Sequence, residues 1–280
     1  MPDRYAVIGN PVAHSVSPAI HAAFAQQTGH DLVYERLPAP LDGFAATVAR
    51  FIADGGRGLN VTLPFKHEAF ALASRRSPRA EAAGAVNTLK FEPGGAAYGD
   101  NTDGAGLVRD LQVNLGFALR SSRILLMGAG GASYGVMEPL MRAGPGQLVV
   151  ANRTPEKAAA LVARFEPAAS VLRRGLLACA YPELAGRQFD LVINATSAGV
   201  DGKVPPLPPG LFAPSAYAYD MFYGAAPTPF LRYAQTQGAA HAVDGFGMLM
   251  EQAAESFFVW RGVRPETREL IASRSVLQTG

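Results

Sequence analysis

The stretch "ILLMGAGGASYG", residues 124–135, constrains the chain more than any other. An apolar run feeds Gly128, Gly130 and Gly131, and a helical pattern follows. Glycine permits the tight turn and lets backbone N–H groups approach a pyrophosphate at a helix N-terminus. A glycine pattern alone is weak evidence; strand, turn and helix in that order are the context a dinucleotide site requires. The third small position holds Ser133 in place of glycine or alanine, so a plain tight turn is the competing reading.

The rest of the chain keeps the same rhythm. "RYAVIG", "DLVYERLP" and "GLNVTLP" read as strands, with helices in "SPAIHAAFAQQTG" and "DGFAATVARFIADGG" between them. Ser17 is expected as the N-cap of the first helix, with Pro18 in its first turn. In "NVTLPFK", Val61 and Leu63 alternate with Thr62 like a buried strand that Pro64 stops. "AVNTLKF" and "AAYGDNT" form a hairpin around "EPGG". From Ser122 the order is "RILLMG", the glycine-turn helix, "QLVVANR", a helix over "PEKAAALVARF", then strands "DLVINATS" and "AYAYDMF". Strands alternating with helices imply a parallel sheet. "DGKVPPLPPG" reads as a connecting loop, and the tail from Phe246 is helical through "FGMLMEQAAESFFVW" and "RPETRELIASRS".

Composition removes several function classes. With 49% hydrophobic and 17% charged residues among 280, a large core is available. Net charge of +2 and the lack of any basic run argue against a nucleic-acid face. Cys179 is the single cysteine, which excludes an internal disulfide or a cysteine zinc site and suits a reducing compartment. No metal site, membrane span or signal peptide is expected, and the protein is expected in the cytoplasm.

The end of the strand after the glycine turn bears on cofactor choice. A fold that prefers NAD usually places an acid there for the ribose 2′-hydroxyl. Here "VVANRTPEK" offers Asn152, Arg153 and Thr154, with Lys157 one turn later. A guanidinium, a hydroxyl and an ammonium suit a 2′-phosphate, so NADP is expected. Thr154 followed by Pro155 is also an ordinary helix start. A hydride-transfer cofactor requires a group that takes the substrate's proton. His14, His21, His30, His67 and His241 are scattered and read as surface or packing residues. Lys66 follows a strand end, where ligands collect in open α/β sheets. In "GDNTDGAG", Asp100 and Asp103 stand where a strand gives way to a helix, and Asp103 taken alone is a helix cap.

Taken together, "GNPVAHSVSPAIH", "NVTLPFK", "GAVNTL", "GDNTDG", "GAGGAS", "NRT", "NATSAG", "YDMFY" and "DGFGMLMEQAA" resemble the shikimate dehydrogenase family in its own motif order, over nearly the whole length. The resemblance implies an α/β architecture. Residues 1–102, completed by helices from 246 to 280, would form a substrate domain with a mixed sheet. Residues 103–245 would form a Rossmann-type NADP domain with a parallel sheet, and a cleft would lie between the two. It implies reversible NADPH-dependent reduction of 3-dehydroshikimate to shikimate by a monomer or homodimer acting on a small molecule. Lys66 and Asp103 would be the catalytic pair, and which of them is the formal base stays open. Ser15, Ser17 and Tyr223 would receive the substrate carboxylate, and Asn60, Thr62, Asn87 and Gln252 the ring hydroxyls. The cofactor would meet Gly128, Ala129, Gly130, Gly131, Ala132, Asn152, Arg153, Thr154, Lys157, Thr196, Met221 and Gly245. Val16, Tyr134 and Lys157 depart from common members, which carry lysine, arginine and arginine there. A quinate/shikimate dehydrogenase of broader range and a catalytically dead dinucleotide-binding regulator are the alternatives. The first tends to carry an acid where "NRT" stands; the second has no need of both Lys66 and Asp103.

Overall fold

Successive side chains of the first strand, β1 (Asp3–Gly9), enter opposite layers. Tyr5 and Val7 join Val12, Tyr34 and Trp260, whereas Ala6 and Ile8 join Phe44, Phe51, Leu59 and Phe65. A sheet buried on both faces needs helices on both, and the intervening sequence supplies them. The computed structural model describes residues 1–172, 175–196 and 203–274. They divide into two compact units, Met1–Gly106 with Leu249–Gly280, and Leu107–Met248. These boundaries fall a few residues beyond those expected from sequence, so Asp103 belongs to the first unit.

The first unit continues through α1 (Ser17–Thr28), β2 (Leu32–Pro38), α2 (Phe44–Ala53), β3 (Gly56–Val61), α3 (Lys66–Leu72), β4 (Arg75–Arg76), α4 (Pro78–Ala83), β5 (Thr88–Phe91), β6 (Ala97–Asp100) and the start of α5 (Asp103–Arg109). Its sheet runs β2-β1-β3-β5-β6-β4. β1, β2 and β3 are parallel, while β5 runs antiparallel to both β3 and β6. The hairpin around "EPGG" is therefore present, and the sheet is mixed. Asn60 faces Thr88, and Thr88 faces Asp100. This register brings the end of β3, the start of β5 and the end of β6 to one edge.

Two local expectations are corrected here. Ser17 is the first residue of α1 and does not cap it; Val16 occupies the cap position without a side-chain bond. The Ser15 hydroxyl accepts the Ser17 N–H instead, at 3.3 Å. Leu63 is not buried but 73% exposed. Strand β3 ends at Val61, and the Phe65 N–H closes a turn on the Thr62 carbonyl at 3.0 Å, which rotates Leu63 outward.

The second unit carries β7 (Arg123–Met127), α6 (Gly131–Ala143), β8 (Gln147–Ala151), α7 (Pro155–Leu172), β9 (Gly175–Cys179), β10 (Phe189–Asn194), β11 (Phe212–Asp220), α8 (Pro229–Thr236) and β12 (His241–Asp244). Its sheet is parallel throughout, in the order β12-β11-β10-β7-β8-β9. Strand order reverses between β7 and β10, the switch point of a doubly wound fold. Sequence patterning misses β9 and β12. Both are short outer strands, and neither β9 ("GLLAC") nor β12 ("HAVD") is buried enough to show a clean apolar run. Helix α7 runs past Phe165 and through Pro167, beyond the expected end. The end of "NATSAG", the start of the proline-rich loop and the last residues of the tail lie outside the described residues. Helix α9 (Phe246–Arg261) begins in the second unit and ends in the first, followed by α10 (Arg268–Ser273). Among the described residues no helix is long and apolar enough to cross a membrane.

Candidate active site

In the first unit, the carboxyl ends of the parallel strands and the register of the hairpin gather polar side chains. Lys66 opens α3 immediately after the turn that follows β3, and Asp103 opens α5 after β6. Their side chains meet, with Lys66 Nζ donating to Asp103 Oδ2 at 2.6 Å. Asp103 is buried, whereas the Lys66 side chain keeps 25% of its surface exposed. A buried carboxylate needs donors as well as a cation. Asn87 Nδ2 supplies one to Asp103 Oδ1 at 2.8 Å. The Asp103 backbone N–H is taken by Asn101 Oδ1 at 3.2 Å. The carboxylate is thus held from both sides, and its lysine still reaches solvent.

Asn87 is the hub of the arrangement. Its Nδ2 faces Thr102 Oγ1 and Gln252 Oε1, each at 2.9 Å, as well as Asp103. An amide nitrogen carries two hydrogens, so three acceptors share them. Gln252, half-buried on α9, is the partner a ligand hydroxyl can replace with least disturbance. Asn87 Oδ1 accepts from the Thr102 N–H and the Thr88 hydroxyl, both at 2.9 Å. Behind it, Ser256 Oγ lies 2.7 Å from Thr88 Oγ1 and accepts from Asn60 Nδ2 at 2.9 Å. Tyr34 donates to Asn60 Oδ1 at 2.7 Å. Both ends of the Asn60 amide therefore serve the framework. Thr62 has no side-chain partner among the described residues and packs its methyl against Gly9, where a Cβ would come within 2.4 Å. Ser15 donates to Ser17 Oγ at 3.1 Å, which sets two hydroxyls side by side at the start of α1. Tyr34, Thr88, Thr102 and Ser256 were not legible as site residues. Their signal, polar side chains inside apolar strands or helices, appears only once the register is known.

His21 lies under this framework. Its ring stacks on Tyr34 at 4.2 Å and 6°, and neither nitrogen has a hydrogen-bond partner. Burial lowers its pKa from 6.5 to about 3, with a weaker opposing pull from Asn60. The folded state therefore resists a proton that the unfolded chain accepts, and stability falls as pH drops below 6.5. The slope is about 1.4 kcal/mol per pH unit, or about 2 kcal/mol between pH 6.5 and 5. His21→Phe keeps the stacked ring and removes the titration. Denaturant midpoints at pH 7 and 5 should differ by about 2 kcal/mol less in the variant than in wild type. Equal pH dependence of the two would show that His21 does not carry it.

The second unit presents a different chemistry. Gly128 follows β7 at φ 104°, a conformation that favours glycine, and a Cβ there would lie 3.0 Å from the Ala195 carbonyl after β10. The glycine turn and Ala195–Thr196 thus face each other at the switch point. Ser133, buried, donates to the Gly128 carbonyl at 2.8 Å and so satisfies the hydroxyl that departs from the usual pattern. At Gly130 and Gly131 a Cβ would meet nothing within 4 Å. That open space lies at the N-terminus of the 13-residue α6, which has no side-chain cap. Backbone N–H groups and the helix dipole are free there for an anion, with Ala129 and Ala132 small enough to leave access. Arg153, Thr154 and Lys157 are exposed at the end of β8 and the start of α7, and Asn152 donates to the Thr154 carbonyl at 2.9 Å. These residues fit a phosphorylated dinucleotide. Tyr134 turns its ring toward α7, where the Arg164 guanidinium lies 5.6 Å from the ring centroid.

Thr196, Met221 and Gly245 are also brought together, by two residues without an expected role. Thr196 donates to Asn194 Oδ1 at 2.7 Å, and Asn194 Nδ2 donates to Asp220 at 3.1 Å. Asp220, fully buried, also accepts from Thr228 at 2.6 Å and from the Phe222 N–H at 3.1 Å; burial nevertheless pushes its pKa up. The Met221 N–H donates to the Asn194 carbonyl at 3.0 Å. A Cβ at Gly245 would stand 2.3 Å from the Met221 carbonyl, so no side chain fits. Tyr223 packs on Phe222 and Phe246, and burial followed by the nearby Asp244 raises its phenol pKa. Among the described residues no group of His, Cys, Asp or Glu is placed to hold a metal.

Comparison with known proteins agrees with both halves. Residues 7–89 match the model of the shikimate dehydrogenase substrate binding domain, and residues 111–200 match that of shikimate / quinate 5-dehydrogenase. A shikimate dehydrogenase (NADP(+)) of Nitrosospira multiformis is 60% identical over 273 residues, covering 97% of this chain and 96% of the relative. Among solved structures, an Ael1 enzyme from Pseudomonas putida is 50% identical, with a TM-score of 0.89 and 97% coverage of each chain. A shikimate 5-dehydrogenase from Thermus thermophilus, solved in complex with NADP(H) and shikimate, is 35% identical; its TM-score is 0.83, covering 98% of this chain and 99% of that one.

Proposed function

The chain belongs to the shikimate dehydrogenase family, and from that premise we infer how its own residues interconvert shikimate and 3-dehydroshikimate. The observation that carries this reading is the 2.6 Å contact between Lys66 and Asp103, fixed from behind by Asn87. When bound, NADPH supplies the hydride that the carbonyl carbon receives. The chain must supply the matching proton, and Lys66 Nζ gives it to the carbonyl oxygen and recovers it in the reverse direction. Asp103 holds the ammonium in position and offers its carboxylate to a neighbouring ring hydroxyl. Asn60, Thr62, Asn87 and Gln252 bind ring hydroxyls, and Asn60 also holds the framework that aims the others. Ser15 and Ser17 receive the carboxylate. Tyr223 is proposed as a further donor to it on the resemblance alone.

In the second unit, the glycine turn from Gly128 to Ala132 would cradle the pyrophosphate, and Thr196, Met221 and Gly245 would line the path of the rest of the cofactor. Asn152, Arg153, Thr154 and Lys157 would select the 2′-phosphate. Arg153→Ala removes a charge-assisted contact, so NADP binding should weaken about 10–150-fold while NAD is unaffected. The test is kcat/KM for both cofactors in wild type and variant, with shikimate and quinate as substrates. Equal use of NAD and NADP by wild type, or equal damage to both by the substitution, would favour the broader quinate/shikimate reading. A dead regulator is disfavoured because its fold has no use for Lys66 and Asp103 in contact. A cytoplasmic monomer or homodimer, binding neither nucleic acid nor membrane, is the proposed form of the enzyme.

A further inference from the structure

The inferred carboxylate subsite has hydroxyls but lacks a charge. Ser15 and Ser17 donate neutral hydrogen bonds, and Val16 between them is apolar. A carboxylate leaving water for neutral hydroxyls loses much of its solvation. A cation stands close by on β2. Side chains alternate along this strand, so Glu35 and Arg36 go to opposite faces. Glu35 is neutralised by Arg4 at 2.7 Å. Arg36 instead turns to the serine loop, where its Nε donates to the Ser15 backbone carbonyl at 2.8 Å. That bond anchors one edge of a planar guanidinium to the very residue whose hydroxyl faces Ser17. Both Nη groups remain without a protein acceptor among the described residues, and no carboxylate pairs with the side chain.

We propose that Arg36 is a specificity-determining residue for the substrate's carboxylate, supplying the positive charge that the serine pair lacks. The inference rests on the assignment of Ser15 and Ser17 to that carboxylate. Anchoring through Nε leaves the guanidinium little conformational freedom, so less is lost when it engages an anion. Because the side chain is exposed, its contribution lies at the low end for a charged hydrogen bond and is screened by salt.

The test separates charge from loop support. Arg36→Gln keeps an N–H donor for the Ser15 carbonyl but has no charge; Arg36→Lys keeps the charge. Binding of shikimate and of its methyl ester is measured by titration calorimetry at pH 8 and two salt concentrations, alongside kcat. Arg36→Gln should weaken shikimate about 10-fold, leave the ester unchanged and hold kcat within about twofold. It should also flatten the salt dependence seen in wild type, and Arg36→Lys should recover most of the affinity. Loss of acid and ester alike would mean that Arg36 only supports the loop. No change in either ligand would remove it from recognition. Both outcomes leave wild-type turnover of shikimate intact, whereas wild type failing to oxidise shikimate would overturn the reaction itself and this role with it.

Discussion

Lys66→Ala is expected to lower kcat about 10²–10⁴-fold, the range for a positioned acid–base group, with KM for shikimate changed far less. The fold should survive. Asp103 keeps its bond from Asn87 Nδ2, so the carboxylate is not left without a donor, and the Asn101 side chain still accepts its backbone N–H. Asp103→Asn should cost a comparable factor for a different reason. The amide no longer holds an ammonium by charge, and the Asn87 N–H that pointed at Oδ1 is forced to compete with a second amide. Residues that act as a unit lose little more when both are removed. The double variant should therefore fall within about tenfold of the worse single one, far from the product of the two. Single-turnover reduction of 3-dehydroshikimate isolates the chemical step. A Lys66→Ala enzyme that retains near wild-type turnover would take Lys66 out of the proton path, and strictly additive losses would mean that the pair is two independent groups.

Sequence points to the proposed site by local signals and says less of the frame around it. Lys66 stood out because a cation at an apolar strand end is unusual, and Gly128 because a strand, a turn and a helix met there. Both are local signals. The Asp103 assignment rests on resemblance, since a helix-start aspartate reads first as a cap; the 2.6 Å contact with Lys66 supports the proposed role. Asn60 shows the opposite case. Its motif suggests a ligand for ring hydroxyls, and the structure adds framework bonds to Tyr34 and Ser256, the latter 196 residues away in the chain. Nothing in a linear pattern brings those together. Strands β9 and β12 escape sequence patterning for an energetic reason. An outer strand is paired along one edge only and is less deeply buried, so it needs neither the apolar run nor the length that marks an interior one. Leu63 failed because periodicity cannot see where pairing stops.

The largest effect on stability is expected from Arg79, which the motifs do not touch. Its Nε and Nη2 grip Asp100 at 2.7 Å each, and Nη2 also donates to Glu255 on α9 at 2.9 Å. Glu255 pairs with Arg264, which reaches Glu251 at 2.7 Å, and Thr267 closes the chain on Glu251 at 2.6 Å. Acids and arginines alternate through a partly dry region where Asp100 and Glu251 are buried. Forming such a network contributes little net stability, but breaking it strands a charge. Arg79→Met fills similar volume and leaves the Asp100 carboxylate with only Ser77 and the Asn101 N–H. The cost should be about 3–5 kcal/mol. Glu255→Gln should cost less, about 1 kcal/mol, since Glu255 is more exposed and Arg79 keeps Asp100. Arg79→Met combined with Asp100→Asn should regain part of the loss, because no buried charge then lacks a partner. The same substitution reaches the active site by a short path. Asp100 accepts the Asn101 N–H, and Asn101 in turn accepts the Asp103 N–H, so Asp103 should be less firmly held and kcat should fall several-fold even where the variant is fully folded. Denaturant unfolding followed by the fluorescence of Trp260, which lies in the first unit, reports the relevant transition. A midpoint for Arg79→Met equal to that of Glu255→Gln would mean that the Asp100 pair is worth no more than a surface contact.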